Sequence, residues 1–128
     1  MAYDTEWSED LPPECHPDDA HQPDNVSLYR LVGNIPPQHE DFWSQRRLFP
    51  QKRFNVSECV VKACSLIATV EHCSALTKLP AQQGKKVIKI VLPPHSGLIK
   101  QTGRNEHHFS WWWAKNFDPI PACTEVDV

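Results

Sequence analysis

The sequence predicts a single small α+β domain, mainly an antiparallel sheet with two or three short helices, behind an acidic N-terminal leader. Three observations carry this. The 128 residues leave room for one hydrophobic core. Apolar residues at 40% and charged residues at 23% mark a globular composition. Several short β-branched and aromatic runs are separated by proline-rich loops and brief helical segments, the pattern of strands that hide one side and show the other. The division expected is a leader over 1–25, flexible or docked on the body, and one domain over 26–128.

The leader holds eight acids and no lysine or arginine, so the rest of the chain carries all 13 basic residues against eight acids, about +5 beneath a net charge of −3. Two readings fit such a tail. It is a solvated segment that keeps the protein soluble, or it lies across a basic groove, anchored by Trp7 or Tyr3, and competes with an anionic ligand or receives a protein partner.

Val26–Val32, VSLYRLV, is the first strand, ending at the turn Gly33-Asn34. Alternation puts Arg30 in line with Leu28 and Val32, where its charge needs either water or an acceptor. After Pro36-Pro37 a short helix brings Phe42, Trp43 and Leu48 inward and ends at Pro50. Arg46, Arg47, Lys52 and Arg53 form a basic cluster there, either a solvated surface or a site for a phosphorylated or nucleic-acid ligand.

From Ser57 the chain suits a helix, then a short buried strand over Cys64–Ala68, then a helix Val70–Leu79 capped by Thr69 and stopped by Pro80. KVIKIVL, Lys86–Leu92, is the clearest strand, with Ile88, Ile90 and Leu92 on one face. A further strand Gly97–Lys100 and the polar turn Thr102–Asn105 lead to HHFSWWWA. In a strand, Phe109, Trp111 and Trp113 share one side, while His108, Ser110 and Trp112 share the other. Three consecutive tryptophans therefore do not make one row for stacking bases, and at least one side is expected to be core.

No run approaches the ~18 apolar residues of a membrane span, and the acidic first residues are unlike a secretory signal, so no membrane association and a cytoplasmic location are expected. The cysteines Cys15, Cys59, Cys64, Cys73 and Cys123 are odd in number and lack C-x-x-C spacing, which favours reduced thiols over a disulfide framework. Their spacing with the seven histidines is a poor match to structural zinc, and no metal is expected. A Cys-His nucleophile pair needs only closeness in space, and nothing marks one thiol as reactive. The phosphate-binding glycine loop, the G-x-S-x-G elbow and H-E-x-x-H are absent.

The order of pieces adds a resemblance. Leu28-Tyr29-Arg30, Pro36-Pro37 with Asp41-Phe42 and Ser44, Ser65 with Thr69, Pro80, Lys89-Ile90 with Leu92-Pro93, and His107-His108 resemble a group of small bacterial proteins over about residues 28–113. More distantly, the arrangement resembles the ADP-ribosyltransferase-like fold. That resemblance implies NAD as substrate, with transfer of ADP-ribose or release of nicotinamide. It places Arg30 on the NAD pyrophosphate, Tyr29 or a tryptophan such as Trp111 on the nicotinamide, Ser65 as support for the nicotinamide side, and His107, His108 or Glu106 near the ribose. The family's Ser-Thr-Ser pattern and paired glutamates are missing here. The other reading, from a different class, is a non-enzymatic interaction or nucleic-acid-binding component of a bacterial or phage conflict system. Convergence of Arg30, Ser65 and His107 or His108 in one cleft favours the enzyme.

Overall fold

The computed structural model describes residues 6–127; Tyr3, in the leader, lies outside them. Six strands form one antiparallel sheet: β1 (Val26–Val32), β2 (Cys64–Ile67), β3 (Lys86–Leu92), β4 (Gly97–Gln101), β5 (His108–Trp113) and β6 (Cys123–Glu125), in the spatial order β4-β5-β2-β1-β3-β6. Single-turn helices α1 (Gln45–Leu48) and α2 (Glu58–Val61), and the longer α3 (Val70–Ala75), complete the α+β domain. Among the described residues no helix is long and apolar enough to cross a membrane.

Local chemistry explains why the helices start and stop where they do. The hydroxyls of Ser44, Ser57 and Thr69 accept from the backbone N–H of Arg47, Val60 and His72, three residues on, which satisfies one otherwise orphaned donor at each helix start. Pro50 follows α1 closely and holds it to one turn. The helix expected over Val70–Leu79 is α-helical only to Ala75 and tightens into a 3-10 turn over Leu76–Lys78 before Pro80.

The β-branched runs place the sheet as their alternation requires. Leu28 faces Ile90, Arg30 faces Ile88, and Leu66 faces Phe109 across neighbouring strands. One face gathers Leu28, Val32, Leu66, Ile88, Ile90, Leu92, Ile99 and Trp111 into the main core, closed by Phe42. Phe117 and Ile120, from the C-terminal segment, pack against it. The 3-10 turn His39–Phe42 is held by the Asp41 carboxylate, which accepts from the N–H groups of Gly33 and Gln38 at 3.1 and 2.8 Å.

The other side of β5 is also enclosed, beyond the one side expected to be core. Trp112 is 1% exposed and packs with Cys59, Ala63 and Leu98, while leader residues Trp7, Leu11, Cys15 and Ala20 cover it. Its indole N–H donates to the Cys59 carbonyl at 2.8 Å. Farther along, α3 rests on β1, β2 and β3 and buries Cys73.

The leader makes regular backbone contacts. His21 bridges Ile99 on the β4 edge, and Trp7 bridges Ala114 just beyond the end of β5, so the leader adds pairing at two places on the sheet. Glu9 accepts from Ser44 N–H and Oγ–H at 3.0 and 2.6 Å, Asp10 gives its carbonyl to Lys62 at 2.6 Å, and Asp19 pairs with Lys100 at 2.5 Å. These lysines lie outside the Arg46–Arg53 cluster.

Two expectations are corrected. Cys15 and Cys59 form a disulfide, Cα to Cα 5.2 Å, because the leader folds back over α2 and brings together cysteines 44 residues apart. Leu48 is 42% exposed instead of inward, since a single helical turn cannot carry an amphipathic face as far as its last residue.

Candidate functional site

Arg30, Ser65 and His108 line one cavity of about 210 Å³. Gln45, Gln82 and Lys85 add polar groups to the wall, and Leu31, Ile67 and Leu76 supply its apolar part. Two larger, more open hollows of about 590 and 540 Å³ lie along the leader. The first is walled almost wholly by leader residues, and the second mixes Glu9 and Asp10 with Arg46, Arg47 and Lys62. Of these three hollows only the smallest is lined by Arg30, Ser65 and His108 together, from β1, β2 and β5; the Ser65 and His108 side chains stand on one face of the sheet, while that of Arg30 leaves from the other, with Leu28 and Val32.

Arg30 projects from β1 beside buried Leu28 and Val32. It resolves the cost of its charge by donating Nε–H to the Asp41 carbonyl and Nη1–H to the Ser65 carbonyl, both at 2.6 Å. A guanidinium has five N–H donors, so with these two bonds made, three remain for an anion. The same two bonds fix the fork relative to the 3-10 turn and β2. Ser65 is exposed on β2 and faces Ser110 of β5 across the ladder.

His108 opens β5. Its Nδ1 lies 3.1 Å from the Thr102 hydroxyl and 3.3 Å from the Thr102 carbonyl, and that hydroxyl is 2.7 Å from Ser110 Oγ. A carbonyl oxygen can only accept, so the contact favours the proton on Nδ1 and leaves Nε2 as an acceptor.

The remaining candidates are dispersed. His107 stacks on His72 of α3, centroids 3.5 Å apart, and its Nε2 is 3.6 Å from the Glu106 carboxylate, whose side chain is 86% exposed; neither Glu106 nor His107 lines the cavity. Trp111 is fully buried in the main core against Trp113 and Phe117, so its ring offers no face to a ligand. Tyr29 is half-buried on β1 opposite Ile67 and Lys89 and is not part of the cavity wall.

Arg46 is a structural clamp. It makes a two-point pair with Glu58 at 2.8 and 3.1 Å and donates to the carbonyls of Pro50 and Lys52. Arg47 lies 3.9 Å over the Trp43 ring, while Lys52 and Arg53 are exposed. The anion patch read from sequence is thereby reduced to Arg47, Lys52 and Arg53.

The free thiols are poor nucleophiles. Burial pushes Cys64 up, Cys73 to about 11 and Cys123 to about 12, so all three stay protonated near neutrality. Among the described residues no three His, Cys, Asp or Glu side chains are grouped to hold a metal ion.

Sequence reasoning missed the Thr102–His108–Ser110 chain and the role of Asp41. Thr102 stood out only as part of a polar turn, and its pairing with His108 depends on how β4 and β5 close.

The small α+β domain thus carries, on the central strands of its antiparallel sheet, a cavity whose lining includes Arg30, Ser65 and His108. No protein family matches the chain, and no curated protein or solved structure matches it significantly.

Proposed function

We propose that the protein binds NAD at the Arg30–Ser65–His108 cavity and cleaves the nicotinamide–ribose bond, passing ADP-ribose to an acceptor or to water. The observation that carries this reading is the convergence of those three residues, far apart in sequence, on one hollow. At about 210 Å³ the cavity falls below the ~300–1,000 Å³ of sites that enclose drug-sized ligands. It has room for one ring and part of the adjoining sugar, so the rest of the dinucleotide would lie on the surface outside.

The chemistry follows from the groups present. As the bond between the ribose anomeric carbon and the nicotinamide nitrogen breaks, its electron pair leaves with nicotinamide and positive charge develops on the sugar. The acceptor hydroxyl then forms the new carbon–oxygen bond and gives up its proton to His108 Nε2. The three N–H groups left on Arg30 hold the pyrophosphate and keep the leaving geometry fixed. Ser65 positions the nicotinamide side.

A cytoplasmic location belongs to this reading. The Cys15–Cys59 disulfide points the other way, since reducing compartments seldom keep such bridges.

Nicotinamide release from NAD, followed chromatographically, tests the reaction. The full chain is expected to turn over, and His108→Ala to lose about 100-fold or more, the usual contribution of a general base. No release by the full chain, or equal release by His108→Ala, would count against catalysis at this site. A second reading, a non-enzymatic interaction protein, is favoured by Arg30 already holding two backbone carbonyls. It requires NAD to leave the thermal midpoint unchanged.

A further inference from the structure

We infer that the exposed basic and aromatic segment 47–56 is a docking surface for single-stranded nucleic acid. Residues 42–57 hold four cations and no carboxylate, and every residue from 47 to 53 is exposed. Arg46, through Glu58 and the loop carbonyls, holds the segment in shape rather than offering its own charge. Arg47, Lys52 and Arg53 have no carboxylate partner among the described residues.

Apolar surface is interleaved with these cations. Phe49 is 50% exposed, beside Leu48 at 42% and Val56 at 56%. The Lys52 ammonium sits 5.5 and 5.4 Å from the ring centroids of Phe49 and Phe54. An aromatic ring half open to solvent, among cations that have no carboxylate partner among the described residues, suits a strand whose bases stack and whose phosphates meet lysine and arginine. A membrane surface calls instead for an extended amphipathic helix, whereas α1 is a single turn. An acidic peptide would use the cations and leave the open ring without a role.

The surface adjoins the cavity through α1, since Gln45 lines the cavity and Arg47 begins the exposed run. The inference nevertheless stands whether or not the cavity takes NAD. With a whole-chain charge of −3, affinity would come from the local cluster and depend steeply on salt.

Fluorescence anisotropy with a labelled thymidine oligonucleotide of roughly 12 nucleotides, without NAD, tests it. Heparin and phosphatidylserine vesicles serve as charge-only and membrane probes. Three phosphate contacts give an expected slope of log affinity against log salt of about −2. Phe49→Ala should weaken oligonucleotide binding about tenfold with the slope kept and leave heparin binding unchanged. Lys52→Gln with Arg53→Gln should flatten the slope by about 1.4. All three side chains are exposed, so the variants should keep the thermal midpoint of the parent. Absence of oligonucleotide binding at low salt, indifference of that binding to Phe49→Ala, or binding to vesicles alone would overturn the proposal.

Discussion

Arg30 sits on a strand face whose other residues, Leu28 and Val32, are core, and it avoids a bare buried charge through two backbone carbonyls. That geometry sets the first expectation. Arg30→Met keeps the apolar stem and loses both charge-assisted bonds, so urea unfolding should show a loss of about 2 kcal/mol; an unchanged midpoint would mean the bonds contribute nothing. His16 sets the second. Its ring lies between Trp7 and Trp112, its Nε2 is buried without a hydrogen-bond partner among the described residues, and burial holds its pKa below the ordinary 6.5. The unfolded chain then binds the proton more readily, so stability is complete above about pH 6.5 and falls as pH drops through the lowered folded value. Tryptophan fluorescence should report that loss as pH falls below about 6.5, and His16→Phe should remove it. Arg30 was legible as a conspicuous charge in VSLYRLV. Its acceptors were not, because backbone carbonyls have no sequence signature.

At the scale of elements, β1 and β3 could be read from the sequence with their observed limits, because β-branched runs bounded by Gly33 and by Pro93 leave little choice. The leader was not legible in the same way. Its backbone bridges at Trp7 and His21, and the Cys15–Cys59 bond, depend on closeness that only the assembled sheet creates. Closing a 44-residue separation constrains the unfolded chain by roughly 4 kcal/mol at most in the loop-entropy picture. Reduction, or Cys15→Ser, should therefore lower stability by about 2–4 kcal/mol in a denaturant titration and raise Trp112 accessibility to a quencher. Gly97, at the start of β4, has φ of 137°, and an added Cβ would meet the Trp112 carbonyl oxygen. Gly97→Ala should cost about 3 kcal/mol or more in the same titration.

For the whole molecule, the sheet is covered on both faces, by Phe42 and the C-terminal segment on one and by α2, α3 and the leader on the other. Alternation in HHFSWWWA correctly separated Trp111 from Trp112. It could not show that the leader encloses Trp112, because the covering chain lies about a hundred residues earlier. Paired carboxylates add an acid-sensitive component. Arg46 holds Glu58 below its usual range and His39 does the same for Asp118, so their stabilisation is present above about pH 4.5 and lost as pH falls through the lowered values. The measurement that bears most directly on the central claim is calorimetric titration of NAD into the full chain and into Ser65→Phe, whose larger side chain would fill the cavity from an exposed strand position. NAD should bind the parent and not the variant, with both folded to the same thermal midpoint. Binding to both alike, or to neither, would contradict the assignment of the Arg30–Ser65–His108 cavity as the NAD site.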